Sequence, residues 1–171
     1  MVERENKFEK GTHEWFMFEA YREALCAYDE NEIPVGAVVV KDGEIIARAH
    51  NDREARNNPL GHAEVLSICE ASRELGSWRL NDCDMYVTLE PCLMCSGALV
   101  LARMRKVYIG AKDPKAGAVV SVFDVLDEKR LNHRVEYEIG LLENLSSDIL
   151  KDFLKRLRLS KKTYGEVSKW L

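Results

Sequence analysis

The sequence predicts an α/β protein: a three-layer α/β/α sandwich around a five-stranded mixed sheet, in one domain spanning residues 1–171. Three observations carry this. Helical and strand periodicities alternate along the chain in the order α-β-β-α-β-α-β-α-β-α. Residues 33–40 form a near-continuous apolar run rich in β-branched side chains, which fits a strand buried on both faces with helices above and below. A chain of 171 residues with 46% hydrophobic side chains suffices for one core, and it shows no repeat, low-complexity tract or interdomain linker.

The elements follow in order. Thr12 can cap a helix over 13–29, in which Trp15, Phe18, Tyr21, Leu25 and Tyr28 recur at helical spacing. The run at 33–40 is a strand, Asp42-Gly43 turns it, and 44–49 returns as a second. Residues 53–61 read as a loop punctuated by Asn57-Asn58-Pro59 and Gly61. A helix starts near His62 and ends near Leu75, where Gly76 can cap it. Residues 84–89 form a strand. Residues 92–102 form a helix, with Pro91 suited to its first turn. A strand over 106–110 precedes a loop with Asp113-Pro114 and Gly117, then a short helical piece near 122–128. Residues 134–139 alternate as the fifth strand. A last helix over about 146–162 places Ile149, Leu150, Phe153, Leu154 and Leu157 on one face.

Composition narrows the setting. Charged residues make up 32%, which leans towards a heat-adapted source, whereas five cysteines lean the other way. The net charge of −4 does not advertise nucleic-acid binding, but its distribution is uneven. Residues 150–171 carry seven Lys or Arg against two acids, a segment of +5 that leaves −9 on the remainder. Such a basic end suits an anionic partner, although a solvated helix face gives the same pattern. The N-terminus is too charged for a secretory signal, and no apolar run approaches the ~18 residues of a membrane span. An odd cysteine count that includes a C-x-x-C pair argues against a disulfide framework and for a reducing cytoplasm.

Chemistry concentrates in His62-Ala63-Glu64 and Pro91-Cys92-Leu93-Met94-Cys95. His and Cys are preferred ligands of tetrahedral zinc, and three protein donors leave the fourth position open. Cys92 and Cys95, at i and i+3, share one helix face, and a helix N-terminus favours the thiolate. Glu64, two residues from His62, can move protons without binding the metal. Alone, a C-x-x-C could be a redox pair, and an H-x-E is noise. A purely structural zinc would need a fourth ligand, for which His50 and Cys83 stay open, while Cys26, Cys69, His13 and His133 form no second ligand pair. Together the two motifs favour an open, catalytic site. Zinc lowers the pKa of water towards ~7. The same signature marks zinc deaminases, and that resemblance implies that Glu64 would take the water proton, pass it to a ring nitrogen of the substrate, and protonate the departing ammonia.

On these residues the chain resembles the bacterial tRNA-specific adenosine deaminases, within the wider cytidine-deaminase-like zinc deaminases. The matching segments are residues 33–40, Asn51, His62-Ala63-Glu64, residues 86–98 with the Cys92/Cys95 motif, 110–118, Asp124-Val125-Leu126 and Asn132-His133-Arg134-Val135. The resemblance covers about residues 12–158. It implies a cytidine-deaminase-like fold, one Zn2+ per subunit on His62, Cys92 and Cys95, and Glu64 as the proton carrier. It also implies a homodimer acting on a tRNA anticodon stem-loop, making inosine at the wobble position of an arginine tRNA with an ACG anticodon. Asn51 would hydrogen-bond the target nucleoside, and Asp113, Lys115 and Asn132 would line the anticodon-loop groove. Phe153 would contact RNA from the last helix, where the family's second aromatic is replaced by Leu154. Two alternatives share parts of this pattern: a deaminase of a free base or nucleotide such as guanine or cytosine, and a zinc-stabilised RNA-binding module without turnover.

Overall fold

The computed structural model describes residues 5–167. Its elements are α1 (His13–Asp29), β1 (Gly36–Lys41), β2 (Glu44–His50), α2 (Ala63–Glu74), β3 (Cys83–Leu89), α3 (Leu93–Leu101), β4 (Lys106–Ala111), a single 3₁₀ turn (Val125–Asp127), β5 (Glu136–Ile139) and α4 (Glu143–Val167). The five strands form one sheet in the order β2-β1-β3-β4-β5. β1 pairs antiparallel with β2 and β3, whereas β3–β4 and β4–β5 are parallel, so the sheet is mixed as expected.

Strand alternation sorts the core into two layers. Ala37 and Val39 of β1, Met85 and Val87 of β3, and Val107 and Ile109 of β4 face the side where Ala63, Ile68 and Ala71 of α2 and Leu99 and Val100 of α3 pack. Their neighbours Val38, Val40, Tyr86 and Tyr108 face Phe16, Met17 and Ala20 of α1. A third cluster joins Phe18, Tyr21, Ala24 and Leu25 of α1 to Ile149 of α4. Thus α1 and α4 cover one face and α2 and α3 the other, and β1, an interior strand, is buried on both sides.

Local signals hold with adjustments. Thr12 Oγ1 accepts from Trp15 N–H at 3.2 Å and caps α1. The Asp42-Gly43 turn and the termination of α2 before Gly76 are present. β1 starts at residue 36 rather than 33, because Pro34 has no N–H and the preceding stretch folds into a tight turn, with Val35 N–H donating to Ile33 O. α3 begins after Cys92, which is its N-cap, so Pro91 lies outside the first turn. The segment near 122–128 forms only the 3₁₀ turn, and β5 is shorter than 134–139. α4 starts at Glu143, just after the positive-φ residues Gly140 and Leu142, and runs to Val167. Of the basic residues in the final segment, the Lys161, Lys162 and Lys169 side chains lie outside the described residues.

Gly36 fixes how closely α1 approaches the sheet. A Cβ there would sit 2.1 Å from Ala20 O and 2.4 Å from Ala24 N, both backbone atoms of α1. Backbone cannot rotate aside, so Gly36→Ala is expected to cost about 3 kcal/mol, the upper part of the usual overpacking range. A chemical-denaturation midpoint measures this, and an unchanged midpoint would contradict the close packing.

Candidate metal centre and active site

The site lies at the carboxyl ends of the parallel strands, where ligand crevices of open α/β sheets form. β3 ends at Leu89 and delivers Glu90, Pro91 and Cys92, and β4 ends at Ala111 just before Asp113. On the antiparallel side, β2 ends at His50 and hands over to Asn51.

His62 and Cys92 are the N-cap residues of α2 and α3, and neither side chain makes a capping hydrogen bond. Both are therefore held by helix starts yet free to point at each other. His62 Nδ1 lies 3.7 Å from Cys92 Sγ and 3.6 Å from Cys95 Sγ, and the two sulfurs are 3.6 Å apart. A tetrahedral centre at about 2.3 Å from sulfur and about 2.0–2.1 Å from nitrogen spaces its donors by roughly 3.6–3.8 Å. These three side chains fit that edge length and could hold a metal ion. The electrostatics agree. Hydrogen bonding from the Cys95 thiol, aided by His62 and opposed by burial, lowers the Cys92 thiol to about 4, so one thiolate is present without a strong base. The negative Cys92 and burial push Cys95 up, and hydrogen bonding to Cys92 raises His62.

Glu64 sits in the first turn of α2, 4% exposed, and burial raises its carboxyl above the ordinary range. It lines a pocket of about 140 Å³ together with His62, Cys92, Asn51, Asp113 and Arg53. His50 and Cys83, left open as a fourth ligand, are elsewhere: His50 pairs with Glu23 and Glu30, and Cys83 is buried at the start of β3. Cys69 is exposed.

Asn51 does two things. Its Oδ1 accepts the Ala63 N–H at 2.9 Å, capping α2 from outside the helix, while the residue, 8% exposed, also lines the pocket. With its oxygen committed, the amide N–H2 is the group it can offer a ligand.

The remaining expectations divide. Asp113 lines the pocket, and its Oδ1 accepts the Lys115 N–H at 2.9 Å, whereas Lys115 itself is exposed beside the mouth. Asn132 is exposed, and its Oδ1 accepts from Arg103 rather than facing the pocket. Phe153 corrects the expectation of an RNA contact from the last helix. It is 1% exposed, set edge-on to Tyr28, with the Arg156 guanidinium over its ring. Arg156 also donates to Tyr28 O and Asn31 Oδ1, so it secures the end of α1. Lys155 and Arg158 are exposed.

Sequence reasoning missed Glu90 and Glu32. Glu90 is a buried carboxylate onto which the loop after β4 folds. Its Oε1 accepts from the N–H groups of Val119 (3.1 Å), Val120 (2.8 Å) and Ser121 (3.0 Å). Its Oε2 accepts from Asp113 N–H at 3.0 Å and from the Ser121 hydroxyl. Gly117 is needed there, because a Cβ would lie 2.4 Å from the carboxylate. Gly117 also bridges to Cys92, so one carboxylate joins the metal-cluster segment to the loop carrying Asp113. Glu32, buried in the pocket wall, accepts the Ala55 N–H at 2.7 Å.

Residues 11–158 match the model of the MafB19-like deaminases. A curated tRNA-specific adenosine deaminase of Aquifex aeolicus is 53% identical over 145 residues, covering 85% of this chain and 95% of that one. The chain belongs to the tRNA-specific adenosine deaminase family, within the MafB19-like deaminases. A solved structure from a study of A-to-I editing by tRNA deaminases at the wobble position of transfer RNA superposes with a TM-score of 0.77. It is 44% identical, over 79% of this chain and 98% of that one. The guanine deaminase of Bacillus subtilis shares the fold with a TM-score of 0.58 and 36% identity, over 80% of this chain and 90% of that one. This deaminase fold thus also serves a small free base, and substrate choice must come from the pocket walls and rim. Among the described residues no helix is long and apolar enough to cross a membrane.

Proposed function

We propose that this protein, acting as one domain, hydrolyses adenosine to inosine at the wobble position of a tRNA anticodon. The observation that carries the reading is a buried carboxylate, Glu64, beside the three-donor His62, Cys92, Cys95 cluster, in a chain of this family. Zinc is the ion that suits two thiolates and an imidazole, one per subunit, and when bound it supplies the Lewis acidity that lets water attack at neutral pH.

The protein's own residues do the rest. Glu64 accepts a proton from the attacking water and delivers it to N1 of the adenine ring as the water oxygen bonds to C6. It then carries the second proton to the amino group, the C6–N bond breaks, and ammonia leaves, so adenosine and water give inosine and ammonia. Burial tunes one carboxyl to serve as base and then acid. The Asn51 amide N–H2 donates to the base. An anticodon loop already presents unstacked bases, which lowers the cost of placing one in the pocket. Asp113 and Lys115 at the mouth, Asn132 farther along the surface, and exposed Lys155 and Arg158 are the groups proposed to meet the RNA. An arginine tRNA with an ACG anticodon is the proposed substrate, and a cytoplasmic location follows from it.

A homodimer is part of this proposal. Leu93 and Leu101 of α3 are 56% and 74% exposed on one helix face with Gly97 between them, and Val120, Val122 and Phe123 are exposed as well. An apolar strip of this kind beside the pocket suits burial against a second copy.

Two substitutions separate the roles of Asn51. Asn51→Ala is expected to cost about 1 kcal/mol of stability through loss of the α2 cap and also to reduce turnover. Asn51→Asp keeps the acceptor for Ala63 N–H, so stability is expected to hold while turnover still falls. Equal activity of Asn51→Asp and wild type would remove the amide from base recognition. For the function itself, ammonia release is measured with a synthetic anticodon stem-loop bearing a wobble adenosine, with free guanine and with free cytosine. Release from the RNA alone is expected. Release from guanine or cytosine alone would favour the small-substrate reading, and no release from any would leave a binding module.

A further inference from the structure

We propose a second divalent-metal site, separate from the His62, Cys92, Cys95 cluster, at Glu23, Cys26 and His50, with zinc as the fitting ion. A carboxylate oxygen, the thiol and an imidazole nitrogen of these residues lie within 4.8 Å of one another. Glu23 and Cys26 are i and i+3 on α1, and Glu30, one turn further, shares that face. His50 is the last residue of β2 and turns its ring towards this face: Nδ1 is 3.0 Å from Glu23 Oε2 and Nε2 is 3.4 Å from Glu30 Oε2.

The donor chemistry selects the metal class. A thiolate with an imidazole and one carboxylate suits zinc and its neighbours and disfavours calcium or magnesium, which prefer all-oxygen shells. The outer shell is also in place. With the ion on Nδ1, beside Glu23 and Cys26, the Nε2–H donates to Glu30, the carboxylate–histidine–metal arrangement that fixes ring orientation. Charges balance: the dication offsets the Glu23 carboxylate and the Cys26 thiolate, and Arg48, 3.8 Å from Glu23, faces the surplus negative charge of this patch. Entry is open, because Glu23, Glu30, Arg48 and His50 line a surface groove of about 510 Å³ and Cys26 is exposed. An ion there ties the end of β2 to α1. Asn51, the next residue, is the cap of α2, so the ion also braces one wall of the pocket.

The test uses the full protein with its His62, Cys92, Cys95 site loaded with zinc, titrated with Co2+ and followed by thiolate-to-metal absorption and by metal content after desalting. Wild type is expected to bind one further equivalent per chain with a thiolate band. Cys26→Ala loses the band, His50→Gln weakens the added equivalent at least tenfold, and both keep the first equivalent. A parallel melting experiment with excess Zn2+ is expected to raise the wild-type midpoint and not that of Cys26→Ala. Absence of a second equivalent in wild type, or a second equivalent unaltered in both variants, overturns the proposal. Because neither readout depends on deamination, a failure here leaves the proposed reaction untouched.

Discussion

Glu64→Gln is expected to keep its fold and its metal and to lose turnover by about 100-fold to 10,000-fold, the span typical of a positioned general acid–base. The amide has the same shape and fits the same buried space, and Glu64 is not among the three donors His62, Cys92 and Cys95. What it loses is the ability to take a proton and return it. Metal content by elemental analysis and single-turnover inosine formation check this together. A variant that retains metal and reacts at the wild-type rate would show that the proton travels by another group, and one that loses metal would mean that Glu64 supports the cluster itself.

Glu90→Gln has the second large expected effect, by a different route. The two carboxylate oxygens accept from four backbone N–H groups and one hydroxyl. A glutamine offers one oxygen and turns an N–H2 group towards donors, leaving buried N–H groups unpaired at about 1–3 kcal/mol each. The loop from Asp113 to Ser121 then loses its anchor while the three metal donors remain. The expected result is a destabilisation of about 3 kcal/mol or more, with faster amide exchange at 113 and 119–121. At a temperature where the variant stays folded, activity on the anticodon stem-loop falls and metal content is unchanged. Unchanged exchange at those four amides would rule out the anchoring role.

Much of this architecture is local and therefore legible. The near-continuous apolar run of β1 marks a strand buried on both faces, and Thr12 and Gly76 mark real helix ends. The chemistry is legible for a related reason: His62 and Glu64, and Cys92 and Cys95, sit at short spacings on helix starts, so each pair is oriented by its own backbone. Where pairing is long-range, pattern gives less. Glu90 looks like one more acid beside a proline until the loop 23 to 31 residues later folds over it. Phe153 lies on the apolar face of an amphipathic helix, and only the packing of α4 on Tyr28 shows that its ring is enclosed. Arg156 counts as basic charge in the sequence but is spent holding the end of α1. Asn51 reads as a ligand contact implied by resemblance, and it also caps α2, its side chain reaching both the Ala63 N–H and the pocket.

The most direct measurement is incubation of total bacterial tRNA with the purified protein, followed by sequencing, in which inosine is read as guanosine. The account predicts an A-to-G change at the wobble position of at least one tRNA with wild-type protein and none with Glu64→Gln. No change at any wobble adenosine with metal-loaded, folded wild-type protein would contradict it.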